Sequence, residues 1–257
     1  MGQFSTIIGC IYEIFIFVDN SKKEVAVRAK KQNLNIAGTY LAMIDQLRMA
    51  ELLCTRLCHD LTGPIGAVNN GAEFLSEEGF NMQGQAVELI TSSAFSAVTR
   101  LQFYRYAYGH VRDHGEANLA DKQKLAAEFF TDTKITLDWP DSHTDASGVS
   151  VSGKMSRLIY NLLIVAASAL IRGGTIAVRI TQDAGGAKQL SVVAEGAGMK
   201  WDPETSAILA GKFNTNDLSP KNVQTYLTKC YADELQSTLT CNTEGEQLSL
   251  LIVQPAG

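Results

Sequence analysis

The five cysteines of this 257-residue sequence do not share the spacing pattern of a metal finger. The five present (Cys10, Cys54, Cys58, Cys230 and Cys241) are odd in number, so they cannot all pair with one another. That usage fits a reducing cytoplasm. Cys54, Cys58 and His59 form Cys-x-x-x-Cys-His, one residue too long for the usual haem attachment signal. Cys54 and Cys58 are expected to pack as small core residues. Long apolar runs are missing too. Residues 7–18 form one, but Glu13 interrupts it and it is too short to span a membrane. No basic segment precedes it and no small-residue cleavage site follows, so a signal peptide is not expected. Positive charge is not in excess. A formal net charge of −5 argues against nucleic acid as the main partner. There is no GxxxxGK[ST] phosphate loop, no internal repeat and no low-complexity segment.

What is present is enough apolar material for a full core. With 46% hydrophobic residues the chain can bury two modest domains. Residues 1–40 read as a leader, in which DNSKKE after the apolar run could turn a marginal hairpin. From about Leu41 to Ser76 the pattern is helical. Glu77 to Gln85 breaks it, and a second helical pattern runs from about Ala86 to Tyr108. Two long helices with a short connection pack antiparallel, so residues 41–109 form a helical hairpin. A lone hairpin leaves apolar surface uncovered, and two copies in a four-helix bundle would bury it.

Gly109 to Ala120 reads as a linker to a second domain, residues 121–254. There helix and strand patterns alternate. Helices are expected at 121–130, 154–171, 203–210 and 222–235. Strands are expected at 134–139, 175–181 and 189–193, with a closing hairpin at 237–241 and 247–253. The fold class is α+β, a helical hairpin followed by an α/β sandwich.

The stretch RLCHDLTGPIGAVNNGAEFL, residues 56–75, carries most of the functional signal. Leu53, Leu57, Leu61, Ile65, Val68, Ala72 and Leu75 recur in steps of three and four, giving one apolar helix face. At about 100° per residue His59 stands nearly opposite, on a stripe with Arg56, Gly63, Gly66, Asn70 and Glu73. A histidine presented to solvent beside glycines is accessible to another macromolecule, and His59 is expected to accept a phosphoryl group.

HDLTGP resembles the H-box of sensor histidine kinases. The longer run LCHDLTGPIGAVNNGAEFL, together with LQFYRYAYG at 101–109, resembles the ChpT-type histidine phosphotransferases of bacterial phosphorelays. The resemblance covers roughly residues 41–254. It implies a kinase-like dimerising hairpin and a degenerate kinase ATPase-like domain. It also implies receiver domains, of a hybrid histidine kinase and of response regulators, as partners. Kinase nucleotide motifs are damaged here. In RLIYNLLIVA the first asparagine survives as Asn161, but the magnesium-holding one falls at Val165. The adenine-binding aspartate falls at Ala194, ahead of Gly196 and Gly198, and NTNDLSPKN before Val223 has no glycine. Valine cannot ligate magnesium, and alanine cannot accept a hydrogen bond. No cofactor or metal is therefore expected on this chain, magnesium belonging to the partner receiver.

The expected chemistry is transfer from an aspartyl phosphate. Asp60 would bond one ring nitrogen of His59 and free the other to attack. Arg56, Gly63, Gly66 and Arg105 are the expected receiver-docking residues, Arg105 only through the family-like run. The resemblance also places Gly63 where many sensor kinases have the threonine or asparagine used for phosphatase activity, which puts that activity in doubt. Asn161 is expected to be a capping or core hydrogen-bonding residue, and Tyr104, Tyr106 and Tyr108 to pack hairpin against second domain. His110, His114 and His143 read as solvated loop residues. The sequence reading is thus a dimeric cytoplasmic histidine phosphotransferase. Its alternatives are a non-catalytic dimeric scaffold and, further off, an ATP-dependent histidine kinase.

Overall fold

The computed structural model describes residues 23–76, 83–109, 119–140, 149 and 151–256, with side chains from residue 46 onward. The chain falls into two compact units, Met1–Arg48 and Met49–Gly257. In the first, the described residues are helical. They open helix α1 (Lys23–Ser76), where sequence pattern placed the start near Leu41. The earlier start has a local cause: residues 23–40 are rich in the good helix formers Ala, Lys, Gln and Leu, with a single glycine. The apolar run at 7–18 and His110, His114 and His143 lie outside the described residues.

Within the second unit α1 runs through Pro64 and is answered by α2 (Gln83–Tyr108). Their pairing is antiparallel: Gly71 meets Ala86 and Ile90, and Asp60 meets Tyr104. A Cβ on Gly71 would stand 2.7 Å from the Ile90 side chain, so glycine permits this close approach. The two helices contact one another through the flank of α1 that carries Asp60 and Gly71. That displaces the buried face from the one expected. Ile65 and Leu75 are exposed within a single chain, and so are Val98 and Leu101 on α2. Cys54 and Cys58 are exposed as well, contrary to the core packing expected of them. They sit on the flank of α1 turned away from Asp60 and Gly71.

The remaining elements form the second domain: α3 (Leu119–Phe130), β1 (Ile135–Asp138), α4 (Gly153–Ala169), β2 (Gly174–Gln182), β3 (Lys188–Glu195), α5 (Pro203–Leu209), α6 (Val223–Glu234), β4 (Thr238–Glu244) and β5 (Gln247–Gln254). The strands make one mixed sheet, ordered β1-β2-β3-β5-β4. Only β1 and β2 are parallel, because α4 crosses between them. β4 and β5 close tightly, with Glu244 opposite Gln247 and Gly245 at φ +56° in the turn. Alternation sends Ile176, Val178, Leu190, Val192, Ala194, Leu248, Leu250 and Ile252 to one buried face. That face is covered by α4, which is apolar almost all round because it lies between sheet and helices. Ser152 caps it, accepting a hydrogen bond from the Met155 amide at 3.1 Å. The last turns of α2 join this same core through Phe103, Tyr104 and Ala107, with Phe103 stacked on Phe129 at 3.9 Å.

Candidate functional site

His59 projects from the middle of α1 with 87% of its side chain exposed. Its Nδ1 lies 3.2 Å from Asp60 Oδ1. An ionised carboxylate can only accept, so Nδ1 carries the proton and Nε2 keeps its lone pair toward solvent. Asp60 is half-buried, and its second oxygen accepts a 2.6 Å hydrogen bond from the Tyr104 hydroxyl. Burial first, and then this bond to Asp60, hold the Tyr104 phenol far above its ordinary range. Tyr104 therefore stays a donor at any physiological pH. Helix α1 supplies the histidine and its carboxylate, and α2 fixes the carboxylate from below.

That support continues into the second domain. Tyr108 stacks on Tyr104, with ring centroids 5.4 Å apart and planes 6° from parallel. Burial pushes the Tyr108 phenol up to about 12, with a smaller contribution from Asp60, so it too donates. It bonds Gln224 Oε1 at 2.6 Å, and Gln224 Nε2 bonds Asn161 Oδ1 at 2.8 Å. Asn161 is fully buried and donates to the Ala107 and Arg157 carbonyls, both at 2.8 Å. The surviving kinase-box asparagine is thus a core hydrogen-bonding residue that ties α4 to the end of α2. Tyr104 and Tyr108 do pack hairpin against second domain. No spacing rule links Asp60 with a tyrosine 44 positions away. The tyrosine-rich run 104–108 was the signal available in the sequence.

A cavity of about 430 Å³ lies between the hairpin and the second domain. Val165, Ser168, Trp201, Asp202, Lys221 and Gln224 contribute to its wall. Val165 is buried, presenting methyl groups where a magnesium ligand would be needed. Ala194 is buried in β3, paired with Ile176 and Leu248. The glycine-free segment is fixed by its own side chains. The Ser219 amide donates to Asn222 Oδ1, Asn222 Nδ2 reaches Glu204, and Lys221 pairs with Asp202 at 2.6 Å. Among the described residues no three of His, Cys, Asp and Glu converge as metal ligands.

Arg56 was placed on the outward stripe with His59, but its side chain is only 25% exposed and lines this cavity. It stands about 60° around the helix from His59, toward the second domain. Its Nε is buried without a hydrogen-bond partner, 3.9 Å from Asp60 Oδ2. Apart from their own chain neighbours, nothing lies within 4 Å of where a Cβ would stand on Gly63 or Gly66. Arg105, exposed on the last turn of α2, opens onto a different pocket with Lys122 and Arg157.

Residues 119–247 match the family model of the histidine phosphotransferase C-terminal domain. The chain is 30% identical over 206 residues to Protein phosphotransferase ChpT of Brucella abortus (strain 2308), covering 80% of this chain and 95% of that one. It also matches a solved bacterial phosphotransferase at 29% identity, covering 80% of this chain and 96% of that chain with a TM-score of 0.67. Hairpin, mixed sheet and sequence agree, and the chain belongs to the ChpT-type histidine phosphotransferase family.

Proposed function

We propose that His59 accepts phosphate from a receiver-domain aspartate and returns it to the aspartates of other response regulators. The observation that carries this reading is the pairing of an exposed Nε2 with an Nδ1 held by Asp60. The Nε2 lone pair forms a bond to phosphorus while the P–O bond to the donor aspartate breaks. The carboxylate leaves with the electron pair. Nδ1 keeps its proton, and Asp60 faces the positive charge left on the ring. Transfer onward is the same step reversed. The chain's own contribution is positioning and charge balance, and the partner receiver brings its magnesium.

Gly63 and Gly66 give an incoming receiver clearance, and Arg56 flanks the His59 face with a cation. The reading includes a homodimer in the cytoplasm, and no described helix is long and apolar enough to cross a membrane. The test is incubation with a panel of phosphorylated receiver domains. His59 should become labelled, and label should chase to unphosphorylated receivers. Labelling by ATP alone would point to a kinase, and no labelling by any receiver to a scaffold.

Two further outcomes are expected. Calorimetry with ATP should show no magnesium-dependent micromolar binding in the cavity that Val165 lines, since Val165 and Ala194 offer neither a metal ligand nor an adenine acceptor. Magnesium-dependent micromolar affinity that is lost with Lys200→Gln, in that cavity, would contradict this. For assembly, Ile65, Val87, Phe95, Val98 and Leu101 are each more than half exposed in one chain. Full burial of an exposed side chain contributes about 1.5–3 kcal/mol, and covering the exposed half of each of these contributes roughly half of that, which in aggregate favours a pair of hairpins. Ile65→Asp should convert a dimer to a folded monomer by light scattering. A monomeric unmodified chain would remove the bundle.

A further inference from the structure

A second pocket, which shares no lining residue with the cavity that holds Arg56, has features of a built anion site. It measures about 390 Å³ and is lined by Arg105, Tyr106, Gly109, Lys122, Gly153, Ser156, Arg157 and Tyr160. Three of these are cations and none is a carboxylate, in a chain whose net charge is −5. Among the described residues neither Arg105 nor Lys122 makes an ion pair. Instead Lys122 Nζ sits over the Tyr106 ring at 4.1 Å, with the Arg105 guanidinium 5.9 Å from the same ring. Arg157 is paired with Glu234, but Arg105 and Lys122 share the Tyr106 ring without an ion-pair partner among the described residues, a repulsion that a bound anion would relieve.

Two independent observations point inward. Ser156 is 2% exposed and its hydroxyl has no hydrogen-bond partner. Arg157 is nine-tenths buried, and although its Nη2 reaches Glu234 at 2.5 Å, its Nε has no partner. A buried donor left unmade is costly, and since the Arg157 guanidinium is stacked on Tyr231 at 4.0 Å and paired with Glu234, it is the Ser156 hydroxyl that calls for an acceptor. The other is the start of α4, a 17-residue helix whose first residue, Gly153, lines the same pocket. Ser152 already takes the Met155 amide, and the positive end of the helix dipole still favours an anion there. Burial lowers the Lys122 amine from its ordinary range, against the smaller opposing pull of Asp121.

We infer that this pocket binds a small phosphorylated molecule, its phosphate facing Arg105, Lys122, the Ser156 hydroxyl and the Gly153 end of α4, and its body against Tyr106 and Tyr160. Phosphate fits better than carboxylate because donors converge from three elements, matching several oxygens on one tetrahedral group. The volume exceeds what one inorganic phosphate needs and lies in the range of small-ligand sites. The site does not use His59, so it stands apart from the transfer reaction.

The experiment is titration calorimetry on the full chain with inorganic phosphate, pyrophosphate and a nucleoside monophosphate, at constant ionic strength held with chloride. Pyrophosphate and the monophosphate are expected to bind saturably, and more tightly than inorganic phosphate. The double variant with Arg105→Gln and Lys122→Gln should weaken them by about a hundredfold. Both changes lie at exposed or half-exposed positions, and amide shifts of Gly153 to Ser156 in the unmodified chain give a second readout. Lys200→Gln, in the cavity that holds Arg56, should leave binding unchanged, as should His59→Gln. No saturable binding would overturn the site. So would affinity unchanged in the double variant, or affinity lost with Lys200→Gln instead. Tightest binding by inorganic phosphate would overturn the larger ligand.

Discussion

His59→Gln is expected to abolish phosphate acceptance from every receiver while leaving the chain folded and its assembly intact. The side chain is 87% exposed and its one hydrogen bond is to a neighbouring residue, so removing it takes little from the native state. Substitutions at such surface positions usually change stability by about 0.5 kcal/mol or less. Glutamine keeps a polar group of similar reach but has no nucleophilic nitrogen. The measurement is label transfer from a phosphorylated receiver, alongside a thermal melt. Retained labelling would place the acceptor elsewhere. A variant that fails to fold would mean that His59 is not on the free face of α1.

A second large effect is expected at Gly66, with stability and rate moving in opposite directions. Gly66 lies two turns from His59 on the same side of α1, with nothing within 4 Å of a built Cβ. Glycine within a helix costs about 1 kcal/mol relative to a good helix former, so Gly66→Gln should raise the melting temperature. If a receiver must come down over this ground, the added side chain holds its aspartate off. A displacement of about 1 Å at the reacting atoms can cost a hundredfold in rate. Unchanged transfer would show that Gly66 does not lie under the docked receiver, and a fall in stability would show that it is a packing position. Gly63 is the poorer probe, because any Cβ there meets the ring of Pro64 and is strained for a local reason.

Helix and strand identity in the second domain was readable because each segment is locally consistent. Lys154 to Ile171 has the pattern of an amphipathic helix and is preceded by Ser152, and it forms α4 one or two residues from the expected limits. TEGE between two alternating runs became the β4–β5 turn. The exposure of His59 was legible for the same reason, since a helix pattern fixes which residues oppose an apolar stripe. The errors lie where one pattern served two neighbours. α1 has apolar residues facing α2 and others exposed on the single chain, and a periodicity count merges them into one face. That merging sent Cys54 and Cys58 inward and Arg56 outward. Arg56 also depends on where the second domain sits, which no local pattern encodes. Tyr104 and Gln224 were out of reach as parts of the site because their partners are distant in sequence.

The linkage Tyr104–Tyr108–Gln224–Asn161 bears on why a domain without its nucleotide motifs persists. Phe103 and Ala107 have no exposed surface, and what covers them belongs to α3 and α4. Excising the second domain would strip these residues bare and release Tyr108 from its amide anchor. Asp60 would then rest on a tyrosine free to swing away. Residues such as Val165 and Ala194 can therefore vary singly, whereas the scaffold around them is needed to hold Asp60 under His59. The His59 hairpin and the domain behind it are one structural piece.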